Sequence, residues 1–485
     1  MKRKRNLVFY ALLMASLLLA NIGYGKVKLP AIVSSNMVLQ RDATVNIWGW
    51  ADSGEEIDIS VSWLEESIKI SAGKSETWKI QVKTTNSLEP QTIRIKSRES
   101  DIFLENILFG EVWLCSGQSN MEQPLSGYMG QPVLGAQQVI ATANNENIRL
   151  FTVERQASIT PKEDLEKYLG WQSASHATVK EFSAIAWFFG EQLQNILDVP
   201  VGLIHTSWGG SLIEAWMSEE VLSQIQNIDL TEVDLNRGNR FPTVLFNGMI
   251  NPLIPYTIKG ALWYQGESNV GNPELYKILF PAMVKDWRMR WEIGDFPFYY
   301  VQIAPFKYGG NNRFDAENNA AFMREAQMHC LDSIPNSGIA ITLDAGEENI
   351  IHPAEKKIVA DRLLYNALNQ TYGYNSVDFS GPVYDSLQIQ DEGIYLMFSQ
   401  AEKGLYAPVK LGGFDIAGED KVFFPAEASI VQGRKVFVKS EQVKNPVAVR
   451  YGWRSWTVGT LYDTNLLPAS SFRTDNWVDA VESNK

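Results

Sequence analysis

Residues 113–121 read Trp-Leu-Cys-Ser-Gly-Gln-Ser-Asn-Met. Apolar residues from 107 to 114 predict a buried strand, and Gly117 allows the backbone to turn sharply where that strand ends. A small polar residue in such a turn is where α/β enzymes place a nucleophile, because a following helix directs N–H groups at it. The stretch therefore predicts an α/β fold with Ser119 as the candidate nucleophile.

Downstream of this turn, apolar runs of strand length alternate with helical segments. Strands are expected at 148–153, 201–206, 261–264, 298–303 and 338–343, and helices at 183–197, 273–291 and 319–331. A last helix should follow, with Pro353 near its first turn and Gly373 after its end. This alternation predicts a parallel sheet with helices on both faces, whose functional loops lie beyond the carboxyl ends of the strands.

The two flanks of the chain have a different pattern. Apolar residues alternate with polar ones, as at Ile57, Ile59 and Val61, and turns separate short strands of this kind. Such spacing is typical of a β-sandwich. The chain is therefore predicted to divide into a leader (1–25), an N-terminal β module (26–105), an α/β domain (106–375) and a C-terminal β module (376–485).

Residues 1–25 have the pattern of a secretory signal peptide. Four basic residues at positions 2–5 precede an apolar core at 7–19, and small residues lie near position 25. The core is shorter than a membrane span, and no cysteine lies nearby to carry a lipid. We expect an exported protein, periplasmic or secreted, without a membrane anchor.

Composition excludes several classes of function. The net charge is −13, and loss of the four leader cations takes it to −17, which disfavours nucleic acid and anionic membranes as partners. Cys115 and Cys330 predict two buried thiols rather than a disulfide framework. The four histidines lack zinc-ligand spacing, so we expect neither a metal nor a cofactor. The oligomeric state is not determined at this level.

A serine nucleophile needs a base within hydrogen-bond reach, and histidine is the usual one. His352 follows an expected strand and precedes the last helix, at the same edge of the sheet as Ser119. His205 also ends a strand and could approach the site, but a structural role is favoured for it, as for His176 and His329. His352 is therefore the candidate base.

Two further stretches end strands and carry groups that can stabilise an anion. In Ser-Trp-Gly-Gly-Ser (207–211), Gly209 and Gly210 allow backbone N–H groups to converge on an oxyanion. In Tyr-Gln-Gly-Glu-Ser-Asn (264–269), the amide of Gln265 can donate to the same oxygen. Each stretch taken alone is equally consistent with an ordinary turn.

Taken together, these motifs resemble the sialate O-acetylesterase family of the SGNH (GDSL-like) hydrolases. Gly-Gln-Ser-Asn-Met, Gly-Gly-Ser-(two residues)-Glu-Ala-Trp, Tyr-Gln-Gly-Glu-Ser-Asn and Ile-His-Pro occur in the order found in that family. Further stretches that fit it lie at 36–41, 246–250, 324–327, 449–453 and 472–475. The resemblance covers nearly all of the mature chain. It implies an SGNH-type three-layer α/β/α domain with a parallel sheet, flanked by β-sandwich-like modules.

The same resemblance implies removal of acetyl groups from sugar hydroxyls through an acyl-serine intermediate. Ser119 would be the nucleophile and His352 the base. The oxyanion hole would comprise the N–H of Ser119, an N–H of Gly209 or Gly210, and the amide of Gln265. Candidate substrate-binding residues are Asn120, Trp208 and Glu267. The partner would be an acetylated sugar or glycan.

One position departs from the pattern of these hydrolases, which usually carry an Asp three residues before the catalytic His. Here that residue is Asn349. The candidates for orienting His352 are Asn349, Glu348, Glu347 and Asp344, or else a backbone carbonyl. The sequence thus predicts a Ser–His dyad without a clear acidic third member. Because His352 must be neutral to act as a base, the rate should fall below about pH 6, near the free histidine pKa.

Two alternatives stay open at this level. An acetyl esterase acting on xylan, pectin or another polysaccharide would share the fold and the motifs. A glycan-binding relative without turnover would suit the β modules and the 15 tryptophans. Intact Ser119, His352 and Gln265 favour an enzyme, whereas Asn349 favours the binding protein.

Overall fold

A computed structural model describes residues 26–226, 228–231, 234–308, 319–390, 393–477 and 481–482. The expected leader at 1–25 lies outside the described residues. Within these ranges, no helix has both the length and the apolar character needed to cross a membrane.

Three groups of strands follow one another along the chain. The first contains β1 (Val38–Gln40), β2 (Thr44–Trp50), β3 (Glu56–Val61), β4 (Ile68–Ser71), β5 (Thr77–Lys83) and β6 (Gln91–Lys96). The second contains β7 (Asp101–Gly117), β8 (Asn144–Val153), β9 (Tyr168–Ser175), β10 (Val201–Ser207), β11 (Gly260–Tyr264), β12 (Phe298–Val301) and β13 (Ser337–Ala340). The third contains β14 (Val383–Gln390), β15 (Gly393–Ser399), β16 (Leu405–Tyr406), β17 (Phe414–Ala417), β18 (Val422–Pro425), β19 (Glu427–Val431), β20 (Lys435–Lys439), β21 (Ala448–Tyr451), β22 (Tyr462–Asp463), β23 (Phe472–Arg473) and β24 (Val481–Glu482).

The helices fall within the central part of the chain. They are α1 (Ser119–Glu122), α2 (Ala136–Thr142), α3 (His176–Lys180), α4 (Ala184–Leu197), α5 (Glu219–Leu222), α6 (Pro273–Trp291), α7 (Ala320–His329) and α8 (Lys356–Asn366). The last helix begins three residues after Pro353, and not around it as the sequence indicates. The backbone N–H of Ala354 donates instead to the carboxylate of Glu347 at 2.7 Å, which keeps this segment outside the helix.

The central sheet has the order β13-β12-β11-β7-β10-β8-β9. Its neighbours pair in parallel except β8 and β9, which are antiparallel. The five strands expected after β7 are all present, although β12 and β13 end at Val301 and Ala340, earlier than predicted. The predicted parallel sheet is therefore confirmed.

Helices cover both faces of this sheet. Successive side chains of a strand point to opposite faces, and here the apolar side chains on each face are buried against helices. Trp113 and Leu262 pack in one buried cluster with residues of α4 and α8, such as Trp187 and Leu363. Their neighbours along the strands pack in a second cluster with residues of α6 and α7; examples are Leu114, Trp263, Trp287 and Met323. The three-layer α/β/α architecture follows directly from this alternation.

Strand β7 connects the α/β sheet to the N-terminal β structure. Its first part pairs antiparallel with β6, its middle pairs with β1, and its last seven residues pair with β10. The predicted boundary between 105 and 106 falls inside this strand. A single strand therefore runs from the N-terminal sheet to the end of the central sheet.

The flanking regions form mostly antiparallel β structure, with parallel pairing of β18 with β24 and of β1 with β7. On the N-terminal side, β2 pairs with β5, and β3 pairs with β4 and β6. On the C-terminal side, one sheet has the order β14-β15-β20-β19 and another has the order β23-β21-β17-β18-β24. The fold class expected from the sequence is confirmed in both flanks and in the centre. Cys115 and Cys330 are buried free thiols, also as expected.

Gly117 makes the turn at the end of β7 feasible. Its φ is +138°, and a Cβ at this position would lie 2.2 Å from the carbonyl oxygen of Tyr264 on β11. A side chain would therefore be strained by the backbone angle and would also push the two strands apart.

We expect Gly117→Ala to lower the free energy of unfolding by about 3 kcal/mol, since strain and overpacking each cost roughly 1–3 kcal/mol. The matched control is Gly294→Ala, where φ is also positive, at +77°, but no atom lies within 4 Å of the added Cβ. The control should cost only about 1 kcal/mol. Thermal unfolding monitored by circular dichroism measures both; equal losses would contradict the close approach to Tyr264.

Candidate active site

Three of the sequence motifs begin directly after strands whose last residues pair with one another in the sheet. Gly117 at the end of β7 pairs with Ser207 at the end of β10 and with Tyr264 at the end of β11. Because the three strands are parallel neighbours, the loops that follow them start side by side. The sheet therefore places the segments that begin at residues 118, 208 and 265 next to one another.

The turn that carries Ser119 is fixed to the β11 loop. Gln118 donates its backbone N–H to the carbonyl of Tyr264 at 2.9 Å. Its buried side-chain oxygen accepts from the N–H groups of Gly266 at 3.3 Å and Ser268 at 3.4 Å. Ser119, the first residue of α1, is partly exposed. The serine is thus accessible while the backbone around it is held.

Asn120 lies below the surface and joins this turn to the loop of His352. Its amide nitrogen donates to the carboxylate of Glu267 at 2.6 Å and to the carbonyl of Ile351 at 3.0 Å. Its amide oxygen accepts from the ammonium of Lys356 at 2.5 Å. Asn120 is 1% exposed and Glu267 is 8% exposed. Both residues connect the two loops, and the substrate-binding role that the sequence offers for them stays a prediction.

Burial dominates the electrostatics of this network. Burial lowers the pKa of Lys356 to about 7, although the carboxylates of Glu267 and Glu347 act in the opposite direction. Burial also raises the pKa of Glu267 above its usual range. Sequence reasoning missed Lys356, whose only signal is its place four residues after His352.

His352 lies in the loop between β13 and α8 and is half-buried. Its Nδ1 forms a hydrogen bond with the side-chain oxygen of Gln131. The Tyr128 ring packs against the imidazole in a T-shaped arrangement, with ring centroids 5.2 Å apart. Burial lowers the pKa of His352 to about 4; the charge of Lys356 lowers it further, and that of Glu122 raises it. The ring is therefore neutral over most of the physiological pH range.

The carboxylates proposed from the sequence as orienters of His352 have other partners. Glu348 faces Lys307 at 3.3 Å, Glu347 accepts from Ala354, and Asp344 forms a pair of 2.7 Å hydrogen bonds with Arg362. Asn349 is exposed. Gln131, which the sequence does not single out, occupies the position in contact with Nδ1. It is 221 residues from His352 in the chain, so no local pattern links the two.

Gly209 lies directly beside the serine. A Cβ added to it would be 3.2 Å from the Cβ of Ser119. Its backbone N–H donates to the carboxylate of Glu122 at 2.9 Å. That carboxylate also accepts two hydrogen bonds of 2.6 Å from Arg155. The glycine is therefore where the sequence predicts it, but its N–H is occupied by Glu122, a residue that sequence reasoning did not select.

Gln265 does not direct its amide toward Ser119. The side chain is 0% exposed, and its nitrogen donates to the carbonyl of Ser211 at 3.0 Å and to the oxygen of Asn269 at 2.7 Å. Both amide hydrogens are therefore used inside the protein. Gln265 thereby links the β10 and β11 loops, and the oxyanion role expected for it from the sequence stays a prediction. Gly210, with φ of +72°, completes the β10 turn.

The remaining aromatic side chains near these loops are partly or fully buried. Trp208 is partly buried, and the guanidinium of Arg155 lies 6.0 Å from its ring centroid. His205 is buried against Phe182, and burial lowers its pKa to about 4, which fits a structural role. Trp113 and Trp263 belong to the core. Across the described ranges, no group of His, Cys, Asp and Glu is arranged to hold a metal.

Comparison with known proteins places this site in a family. The family described as "Carbohydrate esterase, sialic acid-specific acetylesterase" matches residues 110–356, which include Ser119, Gly209 and His352. The chain belongs to this family. It is a carbohydrate acetylesterase, and residues 110–356 cover the central sheet together with the loops that surround Ser119.

Individual relatives match over most of their length. Sialate O-acetylesterase of Homo sapiens is 28% identical over 90% of this chain and 89% of its own, and that of Mus musculus is 26% identical over 93% and 94%. The crystal structure of a carbohydrate acetylesterase from Xanthomonas citri superimposes with a TM-score of 0.85, at 33% identity. It covers 93% of this chain and 100% of that chain. The likeness therefore includes the β modules as well as the site.

We expect Lys356→Met to destabilise the esterase by about 2 kcal/mol, because the buried oxygen of Asn120 loses its donor. The same change should raise the pKa of His352, since the nearby ammonium lowers it, and should move the acid limb of kcat/KM to higher pH. Lys357→Met is the control; its ammonium is exposed and pairs with Asp361, a contact worth less than about 1 kcal/mol. An unchanged acid limb in Lys356→Met would contradict the electrostatic link.

Proposed function

We propose that this esterase removes acetyl groups from the hydroxyls of sialic acid, with Ser119 as nucleophile and His352 as general base. The observation that carries the proposal is the Asn120 network. Asn120 follows the serine in the chain and donates to Ile351, the residue before the histidine. A rigid connection of this kind supports a reaction that needs the two side chains in one geometry. The relatives named sialate O-acetylesterase support the choice of sugar.

The contact of His352 with Gln131 supports the choice of Nε2 as the ring nitrogen that acts in this proposal. An amide oxygen only accepts, so Nδ1 carries the hydrogen and Nε2 keeps its lone pair. Nε2 then takes the proton from the Ser119 hydroxyl as its oxygen attacks the acetyl carbon. When the tetrahedral intermediate collapses, the imidazolium returns this proton to the departing sugar oxygen. Water attacks the acetyl-serine by the same steps and releases acetate.

The developing oxyanion requires donors beside Ser119, and the backbone N–H groups of Ser119 and Gly209 are the proposed pair. The N–H of Gly209 now donates to Glu122, so it must exchange that acceptor for the substrate oxygen. The two hydrogen bonds from Arg155 can hold Glu122 aside during this exchange. Gln265 takes no part in this proposal, because both its amide hydrogens are used elsewhere.

A second candidate substrate is an acetylated polysaccharide such as xylan or pectin. The crystal structure from Xanthomonas citri is described as a carbohydrate acetylesterase, without a named sugar. The N-terminal leader supports a further proposal, export to the periplasm or the medium, where either class of glycan would be met.

We expect Ser119→Ala to reduce acetate release by at least about 10³-fold, as loss of a serine nucleophile does in other esterolytic enzymes. The control is Ser126→Ala, an exposed serine whose hydroxyl contacts only Glu181 among the described side chains, which should keep wild-type turnover. The assay compares 4-nitrophenyl acetate, 9-O-acetylated sialic acid and acetylated xylan. Turnover of xylan alone would favour the second substrate, and no turnover of any ester would favour a glycan-binding relative.

The pH dependence of kcat/KM should follow the pKa of the His352 imidazole. His352 acts as a base only when neutral, and its pKa is lowered to about 4. The acid limb of kcat/KM, which the free side chain would place near pH 6, is therefore expected near pH 4. Rates measured between pH 3.5 and 8 test this, with circular dichroism at each pH as the control for folding. A limb at pH 6 or above in folded enzyme would contradict the effect of burial.

A further inference from the structure

We propose that Gln131 is the positioning residue of the catalytic histidine, a neutral amide in the place where serine esterases usually have a carboxylate. The proposal rests on the function proposed for Ser119 and His352, and it deepens that function by naming the third member of the site. It starts from the hydrogen bond between His352 Nδ1 and the side-chain oxygen of Gln131.

The backbone of Gln131 is fixed before its side chain reaches the imidazole. Residues 128 and 131 exchange backbone hydrogen bonds, with Tyr128 N–H donating at 3.0 Å and Gln131 N–H donating at 2.9 Å. The carbonyl of Gln131 also accepts from the side chain of Gln123 at 2.9 Å. Three hydrogen bonds therefore hold one residue in a surface loop, which limits the positions available to its amide.

The same loop is tied to the elements that carry both catalytic side chains. The N–H of Leu134 donates to the carbonyl of Ala354, two residues after the histidine, at 2.9 Å. The hydroxyl of Tyr128 donates to the carbonyl of Ser119 at 3.3 Å, and its ring packs against the imidazole. Residues 128–134 thus form a clamp over the serine turn and the histidine loop, with Gln131 at its centre.

A neutral partner has a specific electrostatic consequence. A carboxylate at this position would stabilise the imidazolium, whereas an amide oxygen fixes the ring without adding charge. The charged and titratable groups that face His352 are Lys356 from α8, Glu122 from α1 and Tyr128 from the clamp. Replacing Gln131 by Glu would therefore add a negative charge in direct contact with Nδ1, while keeping the length and the acceptor of the side chain.

Two variants of Gln131, compared with control variants, separate positioning from folding. Gln131→Ala should lower kcat on the order of 10²-fold or more with KM changed by less than about threefold, because ring orientation acts on the chemical step. Gln131→Glu should retain turnover and move the acid limb of kcat/KM upward by about 1–3 pH units. The control is Gln138→Ala on the exposed face of α2, which should leave both quantities unchanged. Asn349→Ala and Glu348→Gln, the alternatives offered by the sequence, should also behave as wild type.

A second readout does not depend on turnover. The pKa of His352, followed by NMR of histidine-labelled protein in the Ser119→Ala background, should rise when Gln131→Glu is added. If Ser119→Ala retained activity, the proposed function would fail, yet this titration would still report on the Gln131 contact. If Gln131→Ala kept wild-type kcat, or if Gln131→Glu left the pKa unchanged, the positioning role would be overturned.

Discussion

The pairing of β7 with β10 and β11 is the constraint on which the site depends. Gly117 pairs with Ser207 and Tyr264, and it lies so close to the carbonyl of Tyr264 that a Cβ would not fit between them. The three loops therefore begin side by side and cannot shift independently. Because β7 also pairs with β6 and β1, the same strand anchors the N-terminal sheet. Loops supported by a rigid sheet can differ in sequence without losing their relative positions, and here they bring Ser119 and Gly209 together.

Beneath these loops, a buried polar network determines the distance between the serine turn and the histidine loop. Asn120 uses its nitrogen and its oxygen on three partners from different elements, Glu267, Ile351 and Lys356. Polar groups removed from water are costly unless they find partners, so the network has few alternative arrangements. Burial shifts the pKa of Lys356 down and that of Glu267 up, which reduces the charge that the interior must accommodate.

The environment of His352 shows how this esterase can lack the usual acidic residue. Gln131 fixes the ring through an uncharged contact, and the nearby carboxylate of Glu122 acts on the imidazole from a separate element. Glu122 is also bound to Arg155 and to the N–H of Gly209, so it connects the base with the proposed oxyanion donor. In the proposed mechanism, orientation and charge, which one Asp supplies in many hydrolases, are distributed over Gln131 and Glu122.

The sequence by itself determined the architecture and the residues that follow strands. Periodic apolar runs indicate the strands and helices, and Ser119, Gly209 and His352 lie in local motifs at strand ends, where parallel topology gathers loops. Tertiary structure alone decided which groups meet: Gln131 contacts a histidine 221 residues away, Glu122 occupies the N–H of Gly209, and Gln265 turns its amide toward Ser211 and Asn269. These outcomes depend on competition among neighbouring donors and acceptors in three dimensions, and local sequence patterns carry no information about that competition.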